Sequence, residues 1–268
     1  MIGIFDSGIG GLTVVKKVLE VLPEYQILYF GDTARTPYGG RGEEVIKRYA
    51  LEDAEILIRY GAKIIIVACN TVSAVAIDFL KEKLKVPIFE VVSPAVEKAV
   101  RITRNKKIGV IGTRATIHSK IYEKLIKEKN PQIQVFQNPA PLLVSLVEEG
   151  WFKKPETKMI VKRYLYPLKF KQIDTLILAC THYPFLREII QRKVGRRVKL
   201  IDPAEEVVLK VKEFLEQNPE IEQSLNKNNQ HRFLVSDLTI RSQGLAKNWL
   251  GEKIKLEKIK EDVTEAAS

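Results

Sequence analysis

A pattern that repeats once along the chain constrains its fold more than any other feature. Short apolar segments of strand length alternate with amphipathic helical segments, the order typical of a parallel α/β sheet. Four segments of the first part return in the same order 106 to 111 residues later. An apolar strand resembles any other, but four matches at a nearly constant offset indicate a duplication. The matched pairs are 2–7 with 108–113, 26–28 with 134–136, 67–70 with 178–181, and 93–95 with 202–204.

The repeat predicts an α/β fold of two similar parallel-sheet lobes related by pseudo-twofold symmetry, with the active site in the cleft between them. We expect lobe one to contain residues 1–94 and 205–268, and lobe two to contain residues 95–204. These bounds assume that the chain crosses between the lobes near the prolines at 94 and 203. The segment after the repeat contains a strand, His231–Val235, that is expected to return to lobe one. The strand predicted at 88–92 is followed by a helix that starts after Pro94, a favoured first-turn residue.

The formal charge of +11 allows two interpretations. The basic residues are scattered and mostly lie beside glutamates, as at 81–83, whereas a nucleic-acid binder would cluster them on one face. A Lys/Glu-rich solvated surface of the kind found in heat-adapted proteins explains the charge most simply, and modest steering of an anionic substrate remains open. Nucleic acid is not an expected partner.

No segment is expected to enter a membrane or to direct secretion. The first residues lack the basic start and long apolar stretch of a signal peptide. The longest apolar runs, such as 64–69, have the length of a strand and are far too short to span a bilayer. We therefore expect a soluble cytoplasmic protein.

The two cysteines are the most informative residues of the composition. Two cysteines in a chain of this kind do not indicate a disulfide framework, and the three histidines are too dispersed to predict a metal site. Cys69 and Cys180 follow matching strands of the two lobes. Ligands of parallel sheets bind at the carboxyl ends of the strands, so the two thiols are expected to converge on one cleft. A single cysteine there would most simply be a small buried apolar residue, but two at equivalent positions favour chemistry.

Two facing thiols can act as opposed acid and base. The ordinary thiol pKa of roughly 8.5 keeps the thiolate accessible near neutral pH, so one thiolate can remove a proton from a carbon while the opposite thiol delivers another. Asp6 and His182 are placed to hold the two thiols in complementary protonation states. The alternative interpretations are that Asp6 is a turn residue and that His182 is a residue near a helix start. Short polar residues at strand ends suit an amino-acid ligand, or cap helices; they are Ser7, Asn70, Thr71, Thr113, Thr116 and Thr181.

The glycine-rich turn at 8–11 does not indicate a nucleotide site. It lacks the Lys-Ser/Thr pair of a Walker A loop, and its spacing does not fit the dinucleotide-binding fingerprint.

At these residues the chain closely resembles the glutamate racemases of the aspartate/glutamate racemase superfamily. The matching blocks occur in order from residue 6 to residue 184. They are DSGIGGLTV at 6–14, GDTAR at 31–35 with PYG at 37–39, ACNT at 68–71, GTRATI at 112–117, LVEEG at 146–150 and CTHYP at 180–184.

The resemblance implies a two-base interconversion of L- and D-glutamate without cofactor or metal, which supplies D-glutamate for bacterial peptidoglycan. In the family, the position of Cys69 takes the α-proton from D-glutamate and that of Cys180 takes it from L-glutamate. Asp6, Glu148 and His182 match assisting acid–base residues. The substrate-binding matches are Ser7, Tyr38, Gly39, Asn70, Thr71 and Thr181, with Thr113 and Thr116 also near the ligand. Asp32 matches a position with either a catalytic or a structural role, and the family commonly forms homodimers.

Two alternatives remain open from the sequence. The same fold and thiols would also serve a racemase of aspartate or of a hydantoin, although the CTHYP block favours glutamate. A two-lobed amino-acid-binding protein without chemistry would have no use for two matched thiols.

Overall fold

The structure is a computed structural model that describes residues 1–259, so residues 260–268 of the predicted lobe-one segment 205–268 lie outside it. The described strands are short and largely buried. They are β1 Ile2–Asp6, β2 Ile27–Gly31, β3 Ile64–Val67, β4 Ile88–Glu90, β5 Lys107–Gly112, β6 Gln134–Pro139, β7 Thr175–Ala179, β8 Lys199–Ile201, β9 Arg232–Val235 and β10 Leu256–Lys258.

The strands form two sheets with the same internal order. The first is six-stranded, in the order β10-β9-β2-β1-β3-β4, and the second is four-stranded, in the order β6-β5-β7-β8. Each strand of the second sheet thus occupies the place of its sequence counterpart in the first. Every strand pairing within the described residues is parallel. The predicted α/β fold with two parallel-sheet lobes is confirmed, and β9 pairs with β2 as expected for the returning strand.

Helices connect the strands and cover the sheets. They are α1 Leu12–Val21, α2 Glu43–Arg59, α3 Asn70–Val75, α4 Ile77–Lys83, α5 Val92–Ile102, α6 Arg114–His118, α7 Ile121–Lys129, α8 Leu142–Glu148, α9 Pro155–Phe170, α10 Arg187–Val194, α11 Pro203–Gln217, α12 Pro219–Gln223 and α13 Ile240–Leu250. Short 3-10 helices lie at Tyr38–Gly40 and Tyr183–Leu186. In α1, Val15 and Val18 are buried while Lys16 is exposed, so the helix packs by an apolar face.

The boundary between β4 and α5 differs from the sequence prediction. The strand ends at Glu90, and the helix begins at Val92 rather than after Pro94. The Glu90 carboxylate accepts hydrogen bonds from the backbone N–H of Val92 at 2.5 Å and of Ser93 at 2.9 Å. These bonds satisfy donors of the first helical turn, which lets the helix start earlier.

A shared hydrophobic core joins the two sheets. One cluster contains Ile4 of β1 together with Leu178 of β7, whereas the other two clusters lie mainly within one lobe each. The lobe boundaries at 94/95 and 204/205 stay a prediction. None of the helices within residues 1–259 has the length and apolar character needed to cross a membrane.

Candidate active site

The carboxyl ends of the repeated strands open on one cavity. Cys69 lies two residues beyond β3 and Cys180 directly after β7, so the thiols occupy equivalent places in the two lobes. The predicted convergence of both thiols on one cavity is observed. The wall is formed by Ser7, Thr36, Pro37, Tyr38, Gly39, Cys69, Asn70, Thr71, Thr113, Val144, Cys180, Thr181 and His182.

Most of the residues that the sequence selected lie in this wall, and three lie behind it. Asp6 is fully buried at the end of β1, and Glu148 is reached through His182. Thr116 is also fully buried, and its hydroxyl lies 3.0 Å from that of Thr113 and 3.3 Å from that of Thr71. These three residues therefore support the wall from outside the cavity.

The Cys69 thiol lies in an environment that favours its neutral form. Its side chain is buried, and Sγ donates to Ser7 Oγ at 3.6 Å. Burial, reinforced by the nearby Asp6 carboxylate, raises the pKa of Cys69 to about 12. Cys69 is thus suited to hold a proton and to deliver it.

Cys180 begins a chain of contacts that runs through His182 to Glu148. Sγ lies 3.8 Å from His182 Nδ1, and His182 Nε2 lies 3.1 Å from Glu148 Oε1. Burial alone would lower the pKa of His182, but its bonds to Cys180 and Glu148 outweigh burial and raise the pKa to about 10. An imidazolium donates from both ring nitrogens. It can therefore donate to the Cys180 sulfur and to the Glu148 carboxylate at the same time.

Asp6 lies between the lobes. Its carboxylate accepts a hydrogen bond from Gly11 N–H at 2.9 Å and from Thr181 Oγ1 at 3.5 Å. Burial raises its pKa to about 6, although the charge of His182 acts in the opposite direction. Asp6 therefore changes charge close to neutral pH, beside both halves of the site.

Gly10 allows His182 to pack against the glycine-rich turn. A Cβ at this position would lie 2.5 Å from His182 Cε1 and 2.5 Å from Thr181 Oγ1. Such distances are shorter than a carbon-to-heavy-atom contact allows, so a side chain at Gly10 would displace the ring. The turn that did not fit a nucleotide motif instead positions His182.

Asp32 does not line the cavity. It is fully buried and contacts Tyr38, Arg35 and Ser236. Since Tyr38 belongs to the cavity wall, Asp32 acts on the site through that side chain. Of the two roles considered for Asp32, catalytic and structural, its position fits the structural one.

Four contributors to the site were not among the site residues predicted from the sequence. Thr36, Pro37 and Val144 line the cavity, and Val144 lies four residues before Glu148 on the helix that ends there. Arg241 of α13 donates to the Glu148 carbonyl oxygen at 2.6 and 2.9 Å and pairs with Glu149 at 2.7 Å. The helical spacing could have identified Val144. No local pattern could have identified Arg241, because it is separated from Glu148 by 93 residues.

The arrangement is suited to proton transfer at opposite faces of one ligand. One thiol is held neutral, the other faces an imidazolium, and neutral donors surround both. Within residues 1–259, no group of three or more His, Cys, Asp or Glu side chains is arranged to hold a metal ion.

Comparison with known proteins identifies the same family throughout. The family model for Asp/Glu/Hydantoin racemase matches residues 12–211. A glutamate racemase of Geobacter metallireducens is 42% identical over 253 residues, which cover 94% of this chain and 93% of that protein.

Solved structures of glutamate racemases have the same fold. A glutamate racemase isoform from Bacillus anthracis superimposes with a TM-score of 0.92 at 36% identity, with 98% of each chain covered. The Francisella tularensis glutamate racemase in complex with D-glutamate gives a TM-score of 0.88 at 38% identity, with 96% of each chain covered.

Proposed function

This chain belongs to the Asp/Glu/hydantoin racemase family, and on that premise we propose that it interconverts L- and D-glutamate with two thiols and no cofactor. The observation that carries the proposal is the opening of Cys69 and Cys180 on one cavity from equivalent strand ends. The identity of more than two fifths to a glutamate racemase over nearly the whole chain supports glutamate as the substrate.

The two thiols differ in a way that sets the direction of the first step. The cationic His182 ring lies beside the Cys180 sulfur, while burial keeps Cys69 protonated. Cys180 removes the α-proton of L-glutamate, and Cys69 then donates its proton to the opposite face of the carbanion. The product is D-glutamate, with Cys180 now a thiol and Cys69 a thiolate. This state is the one that accepts D-glutamate for the reverse reaction.

The remaining wall residues bind the substrate in this proposal. Ser7, Asn70, Thr71, Thr113 and Thr181 present hydroxyl and amide groups to the cavity, and Tyr38–Gly39 closes one side of it. Asn70 is itself held in place, because its Oδ1 accepts a hydrogen bond from Tyr122 at 2.7 Å. Neutral donors of this kind hold carboxylates without fixing the charge of either thiol.

The direct test is incubation with L-glutamate in heavy water without added cofactor and with a chelator present. D-glutamate carrying α-deuterium is expected, because the proton that Cys69 delivers comes from solvent. Inversion of aspartate in preference to glutamate would change the substrate assignment. An absence of both inversion and deuterium incorporation would leave a binding protein.

His182→Asn is expected to lower kcat roughly tenfold or more in the direction that begins with L-glutamate, and less in the other. The reason is that the variant loses a hydrogen bond to a charged group at Cys180. The readout is kcat in each direction, since the ratio of the two kcat/KM values must equal the equilibrium constant. Equal losses of kcat in both directions would contradict a role centred on Cys180.

We also propose that the enzyme is a cytoplasmic homodimer that supplies D-glutamate for peptidoglycan. Rescue of a bacterium that requires D-glutamate by this chain, with loss of rescue in a Cys69→Ser variant, tests the cellular role. Sedimentation analysis of the purified chain tests the dimer.

A further inference from the structure

A buried ionic network lies behind the Tyr38–Gly39 wall of the cavity. Arg35 contacts three carboxylates: Asp32 at 2.5 Å, Asp53 at 3.0 Å, and Glu52. Asp32 and Asp53 are fully buried. The network thus places three acids around one guanidinium in a region of low solvent access, where uncompensated negative charge is costly.

The Tyr38 hydroxyl contacts two of these acids at once. It lies within hydrogen-bonding distance of Asp32 Oδ2 and 2.9 Å from Asp53 Oδ2. A hydroxyl has one hydrogen, so it can donate to only one carboxylate. With both acids ionised, the second contact would bring two oxygens together without a proton between them.

The other contacts decide which acid carries the additional proton. Asp32 has the partners of an anion, because it accepts from Arg35 Nε at 2.5 Å, from Ser236 Oγ at 2.8 Å and from Tyr38. Asp53 accepts from Arg35 Nη2 through Oδ1, and among residues 1–259 its Oδ2 has the Tyr38 hydroxyl as its one hydrogen-bond partner. Burial, followed by the charge of Asp32, raises the pKa of Asp53 well above its usual range.

We propose that Asp53 is a positioning residue that stays protonated and donates a hydrogen bond to the Tyr38 hydroxyl, which itself donates to Asp32. The proton on Asp53 thereby links helix α2, which contains Asp53, to Tyr38 in the cavity wall. Tyr38 is fully buried, and the adjacent Gly39 packs so closely on Thr113 that a Cβ there would lie 2.5 Å from the Thr113 side chain. A shift of Tyr38 is therefore transmitted to both lobes. The effect on catalysis rests on the proposed racemase function, whereas the protonation state does not.

The titratable and charged groups around Asp53 lie on several elements. Those that contact it directly, or that act on it through the network, are Tyr29, Asp32, Arg35, Tyr38, Arg48, Tyr49 and Glu52. Arg35 is the nearest cation, and it is divided among three acids.

The first test compares the folding equilibrium of the wild type with that of Asp53→Asn between about pH 5 and about pH 8. The unfolded chain releases the Asp53 proton above about pH 3.9, but the folded chain retains it, so wild-type stability falls as the pH rises. The amide of the variant donates to Tyr38 and accepts from Arg35 without this cost. The ratio of the variant to the wild-type folding constant is expected to rise roughly tenfold per pH unit. A ratio that is constant or falls with pH overturns the proposal.

A measurement on the wild type keeps the proposal testable if the variant does not fold. With aspartate labelled at the side-chain carboxyl carbon, nuclear magnetic resonance is expected to show one neutral carboxyl at about pH 8. At that pH Asp6 and Asp202, whose pKa values are raised by burial to about 6, are ionised. The absence of a neutral carboxyl there would exclude a protonated Asp53.

Turnover of glutamate tests the positioning role. Asp53→Leu, which removes the donor to Tyr38, is expected to raise KM roughly tenfold with a smaller change in kcat, and the conservative Asp53→Asn is expected to restore most of the loss. Asp32→Asn is the matched control. At this position the amide is not expected to preserve KM, because it cannot replace an acid that accepts from three donors. Equal KM values for the two Asp53 variants would overturn the positioning role. If the wild type does not racemise glutamate, the proposed function fails, while the folding and resonance results still decide the state of Asp53.

Discussion

Cys69→Ser is expected to lower racemisation by roughly 10²–10⁴-fold, the contribution typical of a general acid–base group. A serine hydroxyl has nearly the size of the thiol but is a far weaker acid, so it cannot deliver the proton at a useful rate. Cys69 is buried, and Sγ contacts Ser7 Oγ at 3.6 Å, so the smaller oxygen is accommodated without rearrangement. The loss would therefore report on chemistry rather than on folding. The measurement is the rate of inversion in both directions by polarimetry.

Cys180→Ser is the matched variant, and isotope exchange separates the two. In heavy water, Cys69→Ser is expected to exchange the α-proton of L-glutamate with retention of configuration, because Cys180 and His182 remain in place. Cys180→Ser is expected to exchange D-glutamate instead. Turnover by Cys69→Ser close to that of the wild type, or the same exchange pattern in both variants, would remove the two thiols from their proposed roles.

Gly10→Ala is expected to lower turnover roughly 10²-fold, the effect of misplacing a reacting group by about 1 Å. The added methyl would lie 2.5 Å from His182 Cε1 and 2.6 Å from His182 Nδ1, so the ring must move away from Cys180. Turnover and the thermal midpoint of unfolding are measured together, since the substitution is expected to lower turnover far more than it lowers the midpoint.

Gly244→Ala provides the control for this substitution. Gly244 lies inside α13, and a Cβ there would meet no heavy atom within 4 Å. The same added methyl is therefore expected to stabilise the fold by about 0.5–1 kcal/mol, because alanine favours a helix, and to leave turnover unchanged. Wild-type turnover in a folded Gly10→Ala variant would show that His182 does not depend on the space at Gly10.

The repeat in the sequence was sufficient to predict the two lobes and the place of the thiols. Strands that alternate with helices favour a parallel sheet, and the carboxyl ends of its strands face a common edge. Cys69 and Cys180 could therefore be placed from their position after matching strands. The early start of α5 was missed because Glu90 satisfies the first backbone donors, a contact that no apolar pattern contains.

The residues that support the candidate site could not be predicted from the sequence in the same way. Arg241 reaches Glu148 from a helix of the returning segment, and Asp53 reaches Tyr38 from α2. The first contact joins residues 93 positions apart and the second joins residues 15 positions apart. The strength of each contact depends on burial, which the residue type alone does not set.

Periodicity and spacing along the chain were enough to predict the α/β lobes, the parallel strands, the two thiols at their ends and the place of His182 beside Cys180. The packing of the folded chain was needed to establish that His182 also contacts Glu148, that Gly10 makes room for the imidazole, and that Asp53 shares a hydroxyl with Asp32. Protonation depends on the burial of a group and on the charges beside it, and both arise when distant segments pack together.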